Sequence, residues 1–204
     1  MSGTFPTANF TTLDFQSNNN VKMTQSLSGR TQRVKTGGQY WSFKLQSPPM
    51  TRADFFAQYS FIVQQDGQAE SFTIVPPEIS STRGTATGTI TVLDDSTYTG
   101  ASIELGSTSV PVSNTSNTGN LKKGDLIKFS NHDKVYMLTE DVDLDGSSVN
   151  ELNIYPALVS EVTGSTTVTY TNVPFTVYFD SNALSFVTGA DGTYRYEITV
   201  NEEI

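Results

Sequence analysis

The sequence predicts a mainly β protein, in which a β-sandwich with one flanking α-helix is joined to a second, small β-barrel-like domain. Short runs of alternating apolar and polar residues recur along the 204-residue chain, the period-two pattern of half-buried strands. Clusters of Gly, Asn, Asp and Ser separate these runs about every ten residues, a spacing typical of sandwiches and barrels. One segment follows a helical period instead.

The clearest strand is expected at Tyr40–Leu45, where Trp41, Phe43 and Leu45 alternate with polar neighbours. Similar short runs occur at residues 72–75, 88–92, 126–129, 135–138, 168–170, 175–179 and 194–200. These runs are too short and too evenly spaced for a βαβ fold, and they supply the strands of both predicted β units.

The helix is predicted over about residues 51–66. Its apolar residues are spaced as on one helical face: Phe55, Phe56, Tyr59, Ile62 and Val63. Thr51 and Asp54 form a candidate capping box, Pro48-Pro49 cannot continue a helix backwards, and Gly67 supplies a stop. We therefore expect about four turns of helix, packed through an aromatic face onto a sheet.

A shift in composition predicts the domain organisation. Residues 106–124 lack aromatic side chains and are rich in Ser, Thr, Asn and Gly, whereas the last thirty residues return to long alternating strands. We predict that residues 1–95 together with 170–204 form the sandwich that carries the helix, and that residues 96–169 form an inserted small β domain. Two sequential domains are the alternative.

Composition excludes several classes of function. There are 21 acidic and 12 basic residues, a formal net charge of −9, which disfavours a nucleic-acid-binding surface. The absence of cysteine excludes disulfides and thiolate metal sites, and the single histidine excludes sites that need two. No apolar run approaches the roughly 20 residues that cross a bilayer. We expect no cofactor and no membrane insertion.

Catalytic residues are not evident, and we predict that the protein is not an enzyme. His132-Asp133 resembles part of a triad, but neighbours on a strand face opposite ways and no G-x-S-x-G motif occurs. A structural histidine in a turn is the favoured interpretation, so replacing His132 with Asn should leave folding unaffected. The acidic residues could supply a glycosidase pair, but nothing in the sequence singles one out.

One acidic loop is a weak candidate for a metal site. Asp141, Asp143 and Asp145 with Gly146 match the first half of a calcium-binding EF-hand loop. Leu152 stands where the final glutamate should be, and strands are predicted on both sides of the loop. A β-turn, with Asp145-Gly146 supplying positive φ angles, is the simpler interpretation.

The most basic stretch is a candidate interface. Arg30, Arg33 and Lys35 lie within eleven residues of a chain that is otherwise strongly acidic. We expect them to lie on a strand and to pair with acidic groups of a neighbouring subunit; a solvated face is the alternative. Tyr59, Phe61 and Trp41 could line a sugar-binding cleft, although an apolar stripe of this kind is usually core.

Several strings of the sequence resemble those of tail proteins from long-tailed bacteriophages, of the distal-tail or baseplate-hub kind. They are Ser28–Arg33, Gly37–Phe43, Pro48–Phe55, Leu121–Phe129, His132–Tyr136 and Val173–Val177. The resemblance spans most of the chain, and it rests on structural residues and carries over no functional residue.

This resemblance implies a virion protein, made in the host cytoplasm, whose first unit is a tail-tube-like sandwich with a flanking helix. It implies a ring, commonly a hexamer, at the distal end of the tail, which links the tail tube to the hub, fibre or receptor-binding proteins. DNA would pass through the lumen only transiently. The alternatives are a carbohydrate-binding β module used for host adsorption and another tail component, such as the tube or a connector.

Overall fold

Strands dominate the computed structural model of the protein, which describes residues 3–6, 9–93, 102–113, 116–144 and 149–204. The helix of these residues is α1 (Arg52–Gln64). The strands, in chain order, are β1 (Thr12–Gln25), β2 (Thr31–Gln46), β3 (Phe72–Ile74), β4 (Thr87–Gly88), β5 (Ile90–Val92), β6 (Ser102–Ile103), β7 (Ser109–Ser113), β8 (Asn117–Leu121), β9 (Leu126–Phe129), β10 (Val135–Leu138), β11 (Val142–Leu144), β12 (Val149–Tyr155), β13 (Val162–Thr163), β14 (Thr167–Thr169), β15 (Phe175–Phe179), β16 (Phe186–Thr188) and β17 (Tyr194–Glu202).

The chain divides into two units. Unit 1 comprises Met1–Phe72 with Val177–Glu203, and unit 2 is essentially Thr73–Thr176. Residues 73–93 and 170–176, which the sequence analysis assigned to the first unit, thus lie in the second. The physical reason is pairing: β5 forms hydrogen bonds with β7 and β14, so its apolar side chains are buried in unit 2. No change in composition marks that boundary.

Unit 1 is organised around a six-stranded sheet. Its strands are in the order β1-β2-β17-β15-β3, with β16 paired to β17. Trp41, Phe43 and Leu45 are buried on β2, as the alternation at residues 40–45 predicts. Phe15 on β1 stacks on the rings of Trp41 and Phe43, with ring centroids 4.7 and 5.1 Å away. Aromatic stacking across paired strands therefore holds the first two strands in register.

The helix predicted over residues 51–66 is confirmed as α1. Thr51 is its N-cap: the hydroxyl accepts a hydrogen bond from the backbone N–H of Asp54 at 3.4 Å and donates to the Asp54 carboxylate at 2.7 Å. Phe55 is buried and stacks on Tyr194 of β17, with ring centroids 5.1 Å apart. Within the described ranges, no helix is long and apolar enough to span a bilayer.

Unit 2 contains a closed barrel, in the order β10-β12-β7-β5-β14-β9. The strands of unit 2 contribute side chains to one core, whose fully buried members are Ile90, Val110, Val112, Leu121, Ile127, Phe129, Tyr136, Leu152 and Val162. Two short sheets, β11-β8-β4 and β13-β6, accompany the barrel. A mainly β fold with one helix and a barrel is thereby confirmed, as the sequence predicts.

Candidate functional site

The basic stretch predicted as an interface lies on the outer part of the β1–β2 hairpin. We call residues 19–36 the arm. β17 pairs with β2 only along Ser42–Gln46, whereas β1 and β2 continue to pair with each other as far as Gln25 and Thr31. The arm is therefore a two-stranded ribbon, and a β-bulge between Asn19 and Val21 separates it from the rest of the hairpin. Such ribbons are marginally stable in water unless another surface covers them.

A tight turn closes the arm. The backbone N–H of Gly29 donates to the carbonyl of Ser26, and the N–H of Ser26 donates to the carbonyl of Arg30, both at 2.9 Å. Gly29 has a φ of +77°, which an L side chain rarely adopts. This hydrogen-bond pattern is that of a type I turn followed by a bulge. The turn holds Leu27 outward at the tip, fully exposed.

The arm combines positive charge with exposed apolar side chains. Lys22, Arg30, Arg33 and Lys35 give it a charge of +4, because no acidic residue occurs between Asp14 and Asp54. Val21, Met23, Leu27 and Val34 are all more than half exposed. Within the described residues, no carboxylate forms an ion pair with the four cations. The predicted residues Arg30, Arg33 and Lys35 are thus brought together on one exposed element.

In the acidic loop, the carboxylate of Asp141 already forms hydrogen bonds with other residues of the chain. The Asp141 carboxylate accepts hydrogen bonds from the Lys122 ammonium at 3.1 Å and from the backbone N–H of Lys123 at 2.8 Å. These bonds lower the pKa of Asp141. Asp143 lies exposed on β11, and Asp145 lies outside the described residues. No group of three potential metal ligands occurs in the described part of the chain.

His132 occupies the turn between β9 and β10, but it is hydrogen-bonded at both ring nitrogens. Nδ1 lies 2.9 Å from Oδ1 of Asn131, and Nε2 lies 2.8 Å from the hydroxyl of Tyr136. Asn131 donates its amide N–H to the carbonyl of Glu161, so its oxygen is the atom that faces the histidine. Burial, followed by the charge of Lys128, lowers the pKa of His132.

Asp133 accepts a hydrogen bond from the Lys128 ammonium at 2.8 Å. That hydrogen bond is the main reason why the pKa of Asp133 is lowered. The described geometry therefore assembles no catalytic pair from His132 and Asp133.

A buried carboxylate that the sequence analysis missed ties two loops of unit 2 together. Asp125, only 3% exposed, accepts hydrogen bonds from the backbone N–H groups of Lys122 at 2.9 Å and Arg83 at 3.1 Å. It also accepts from the hydroxyl of Thr82 and from Nε of Arg83. The signal in the sequence was the Lys-Lys-Gly-Asp turn, in which an aspartate commonly accepts backbone bonds.

The aromatic residues considered for a sugar cleft do not form one together. Trp41 is buried under Phe15, and Phe61 packs edge-on against Phe72 with centroids 5.6 Å apart. Tyr59 alone lines a surface cleft, of about 330 Å³, at the C-terminal end of α1. Its hydroxyl donates to the carbonyl of Leu184 at 3.2 Å.

Two further surface clefts of the described residues also lack a set of catalytic groups. One of about 340 Å³ is lined by Gln68, Ala69, Glu70, Ser71, Tyr178 and Glu203. One of about 350 Å³ in unit 2 is lined by Ser102, Ile103, Glu104, Leu105 and Ser107. Neither brings together a nucleophile, a general base and an oxyanion-stabilising donor.

Comparison with known proteins places the chain beside phage distal tail proteins. Residues 90–173 match the family described as "Distal tail protein pb9, B domain". The chain is also 22% identical over 191 residues to "Distal tail protein pb9" of Escherichia phage T5, a match that covers 93% of this chain and 89% of that protein. The resemblance found in the sequence, to phage tail proteins of the distal-tail kind, is confirmed by these two matches.

Proposed function

From this relationship to phage distal tail proteins, we propose that the chain is a non-enzymatic structural protein that forms a ring at the distal end of a phage tail. The ring, a hexamer, links the tail tube to the hub, fibre or receptor-binding proteins. The observation that carries the proposal is the extent of the match, which covers 93% of this chain and 89% of the relative. Both units therefore have counterparts in a protein whose name places it at the distal tail.

The sheet of unit 1 suits ring assembly. It is open, with β1 at one edge and β3 at the other. Exposed strand edges pair readily with strands of another chain, because their N–H and C=O groups lack partners in the sheet. Pairing of unlike edges is a heterologous contact, which closes into a ring when the rotation between copies permits.

The charge distribution supports the same role. Unit 1 outside the arm holds nine acidic and three basic side chains, a net charge of −6, whereas the arm carries +4. Opposite charges on different surfaces of one chain favour head-to-tail contact between copies. The formal net charge of −9 would also disfavour adhesion of DNA that passes through the lumen.

A pair of neighbouring aromatic rings favours the second candidate, a carbohydrate-binding module for host adsorption. Tyr59 and Phe186 have ring centroids 5.2 Å apart, and Phe186 is partly exposed. Aromatic rings of this kind can stack on sugars. A different position in the tail, in the tube or as a connector, is the third candidate.

Size-exclusion chromatography with light scattering, followed by negative-stain electron microscopy, tests the proposal on the purified chain. We expect rings with six-fold symmetry at high protein concentration. A chain that stays monomeric at every concentration, together with virions that carry no such ring, would overturn it. Binding to a glycan array by monomers, with no ring, would favour the carbohydrate module.

A further inference from the structure

We propose that the tip of the arm of one copy inserts into the cleft at the C-terminal end of α1 in the next copy, with Leu27 in the cleft and Arg30 beside Asp66. This inference rests on the proposed ring and names the contact that would join its subunits. The cleft, which we call the α1 cleft, is lined by Tyr59, Val63, Asp66, Gly67, Asn182 and Leu184.

The first argument comes from the arm. Leu27 lies at the apex of a turn that backbone hydrogen bonds hold in place, and its side chain is fully exposed. A large apolar side chain presented in this way gains free energy when another surface removes it from water. The two-stranded ribbon that carries it also needs a covering surface for stability.

The second argument comes from the cleft. Val63 is 53% exposed, and with Tyr59 and Leu184 it provides an apolar wall. Contacts of Asn182 hold the lining of the cleft in place. Its Oδ1 accepts a hydrogen bond from the N–H of Gln68 at 3.0 Å, and it lies so close to Gly67 that a Cβ there would be 2.8 Å from it. A volume of about 330 Å³ lies at the low end for small-molecule pockets, and it suits one or two side chains.

The third argument is charge complementarity. Asp66 lies on the lining of the cleft, and no basic residue lies there. The last turn of α1 also has no basic side chain, so no cation of its own helix offsets the partial negative charge at that end. Arg52 is at the other end of α1, over the ring of Phe56. Arg30, three residues after Leu27, therefore brings a cation to a site that favours one.

The contact is heterologous, because the tip of the arm and the α1 cleft are different surfaces of the same chain. Repetition of one such contact generates a closed ring when the rotation between copies permits, and an open filament when it does not. This contact would join neighbouring subunits of the ring head to tail, and it does not depend on pairing of strand edges.

Sedimentation of the full chain tests the joint. Leu27→Ser should raise the dissociation constant of assembly by about ten-fold or more. Leu105→Ser is the matched control, since Leu105 is also exposed (69%) but lies in unit 2, and it should leave assembly unchanged. Arg30→Glu and Asp66→Arg should each weaken assembly, and the double variant should recover most of the loss.

Cross-linking gives a second readout, because the chain contains no cysteine. Single-cysteine variants Leu27→Cys and Val63→Cys, mixed and oxidised, should form the mixed disulfide, whereas Leu27→Cys mixed with Leu105→Cys should not. Rings that assemble normally with Leu27→Ser and give no Leu27–Val63 disulfide would overturn this inference and leave the proposed ring standing. Absence of both rings and disulfide would overturn both, and arm-dependent binding of duplex DNA by monomers would assign the arm to nucleic acid instead.

Discussion

The hydroxyl of Tyr136 lies 2.8 Å from Nε2 of His132, and a chain of hydrogen bonds through these two residues favours the neutral form of the histidine. The backbone N–H of Val159 donates to the tyrosine oxygen at 3.2 Å, so the tyrosine O–H is free to donate to Nε2. Nδ1 then carries the proton and donates to Asn131. Protonation of Nε2 would turn the Tyr136 hydroxyl from donor to acceptor in this hydrogen bond, which adds to the effect of burial on the pKa.

The pKa of His132 can be measured directly, because it is the one histidine of the chain and gives a single set of imidazole NMR signals. We expect a value below 6.5, the usual value for histidine. Lys128→Gln should raise that pKa, since it removes a nearby positive charge. Lys122→Gln, which alters the Asp141 pair instead, should leave it unchanged. A wild-type pKa at or above 6.5 would contradict the hydrogen-bond assignment.

The same shift predicts how stability depends on pH. A folded-state pKa below 6.5 means that the unfolded chain binds the proton more tightly, so the stabilisation is complete above pH 6.5 and is lost as the pH falls below it. The loss amounts to about 1.4 kcal/mol for each unit of pKa difference. Calorimetric melting at pH 8 and pH 5.5 should show this loss in the wild type. In His132→Asn the loss should be smaller. That variant should melt lower at pH 8, contrary to the expectation from the sequence alone, because the two hydrogen bonds of the imidazole are lost.

Removal of the buried carboxylate should destabilise unit 2 strongly. Asp125→Ala leaves the backbone N–H groups of Arg83 and Lys122 without their acceptor. The expected cost is about 3 kcal/mol in the free energy of unfolding, since each unsatisfied buried donor costs about 1–3 kcal/mol. Asp143→Ala, at an exposed aspartate of β11, should change it by less than about 0.5 kcal/mol. Equal melting temperatures for the two variants would show that the Asp125 contacts are not formed.

Two glycines with similar φ angles allow the cost of conformational strain to be distinguished from the cost of steric crowding. Gly119 and Gly106 have φ values of +91° and +90°, but a Cβ at Gly119 would lie 2.2 Å from the carbonyl oxygen of Thr85, whereas a Cβ at Gly106 meets nothing within 4 Å. Gly106→Ala should cost about 1–2 kcal/mol, from conformation alone. Gly119→Ala should cost clearly more, because the backbone at Thr85 and β8 must separate. Thermal melting of both variants measures these costs. Equal costs would show that Gly119 does not lie close to the carbonyl of Thr85.

The N-cap of α1 offers a milder perturbation. Thr51→Ala removes the hydroxyl that accepts the N–H of Asp54, and a lost N-cap typically costs about 1 kcal/mol. The change should appear in the unfolding of unit 1, which the fluorescence of Trp41 reports because it is the single tryptophan of the chain. Ser60→Ala, on the exposed side of the same helix, should have little effect. An equal loss in both variants would argue against the cap.

Elements with a strong hydrophobic period were predictable from the sequence. The helix over residues 51–66 and the strand at 40–45 both have apolar side chains on one face, and both are present. The long strand β1 was not predicted, because its Asn18-Asn19-Asn20 segment and its exposed arm show no such alternation. Its register comes from pairing with β2, which a single sequence does not display.

Some of the functional features were likewise predictable from the sequence, and others were not. Arg30, Arg33 and Lys35 were identifiable as a group, because a cluster of cations is visible in an acidic chain. The α1 cleft was not, since Asn182 and Leu184 reach Tyr59 only through the fold. Asp125 was likewise hidden, because its partners Thr82 and Arg83 lie more than forty residues earlier in the chain.

The position of the chain in the virion can be determined by electron microscopy of phage particles that carry an epitope-tagged copy. We expect gold-labelled antibody to bind at one level of the tail, at the end distal to the head, where a ring joins the tube to the parts beyond it. Label along the whole tube, at the junction of head and tail, or nowhere on the particle would contradict it.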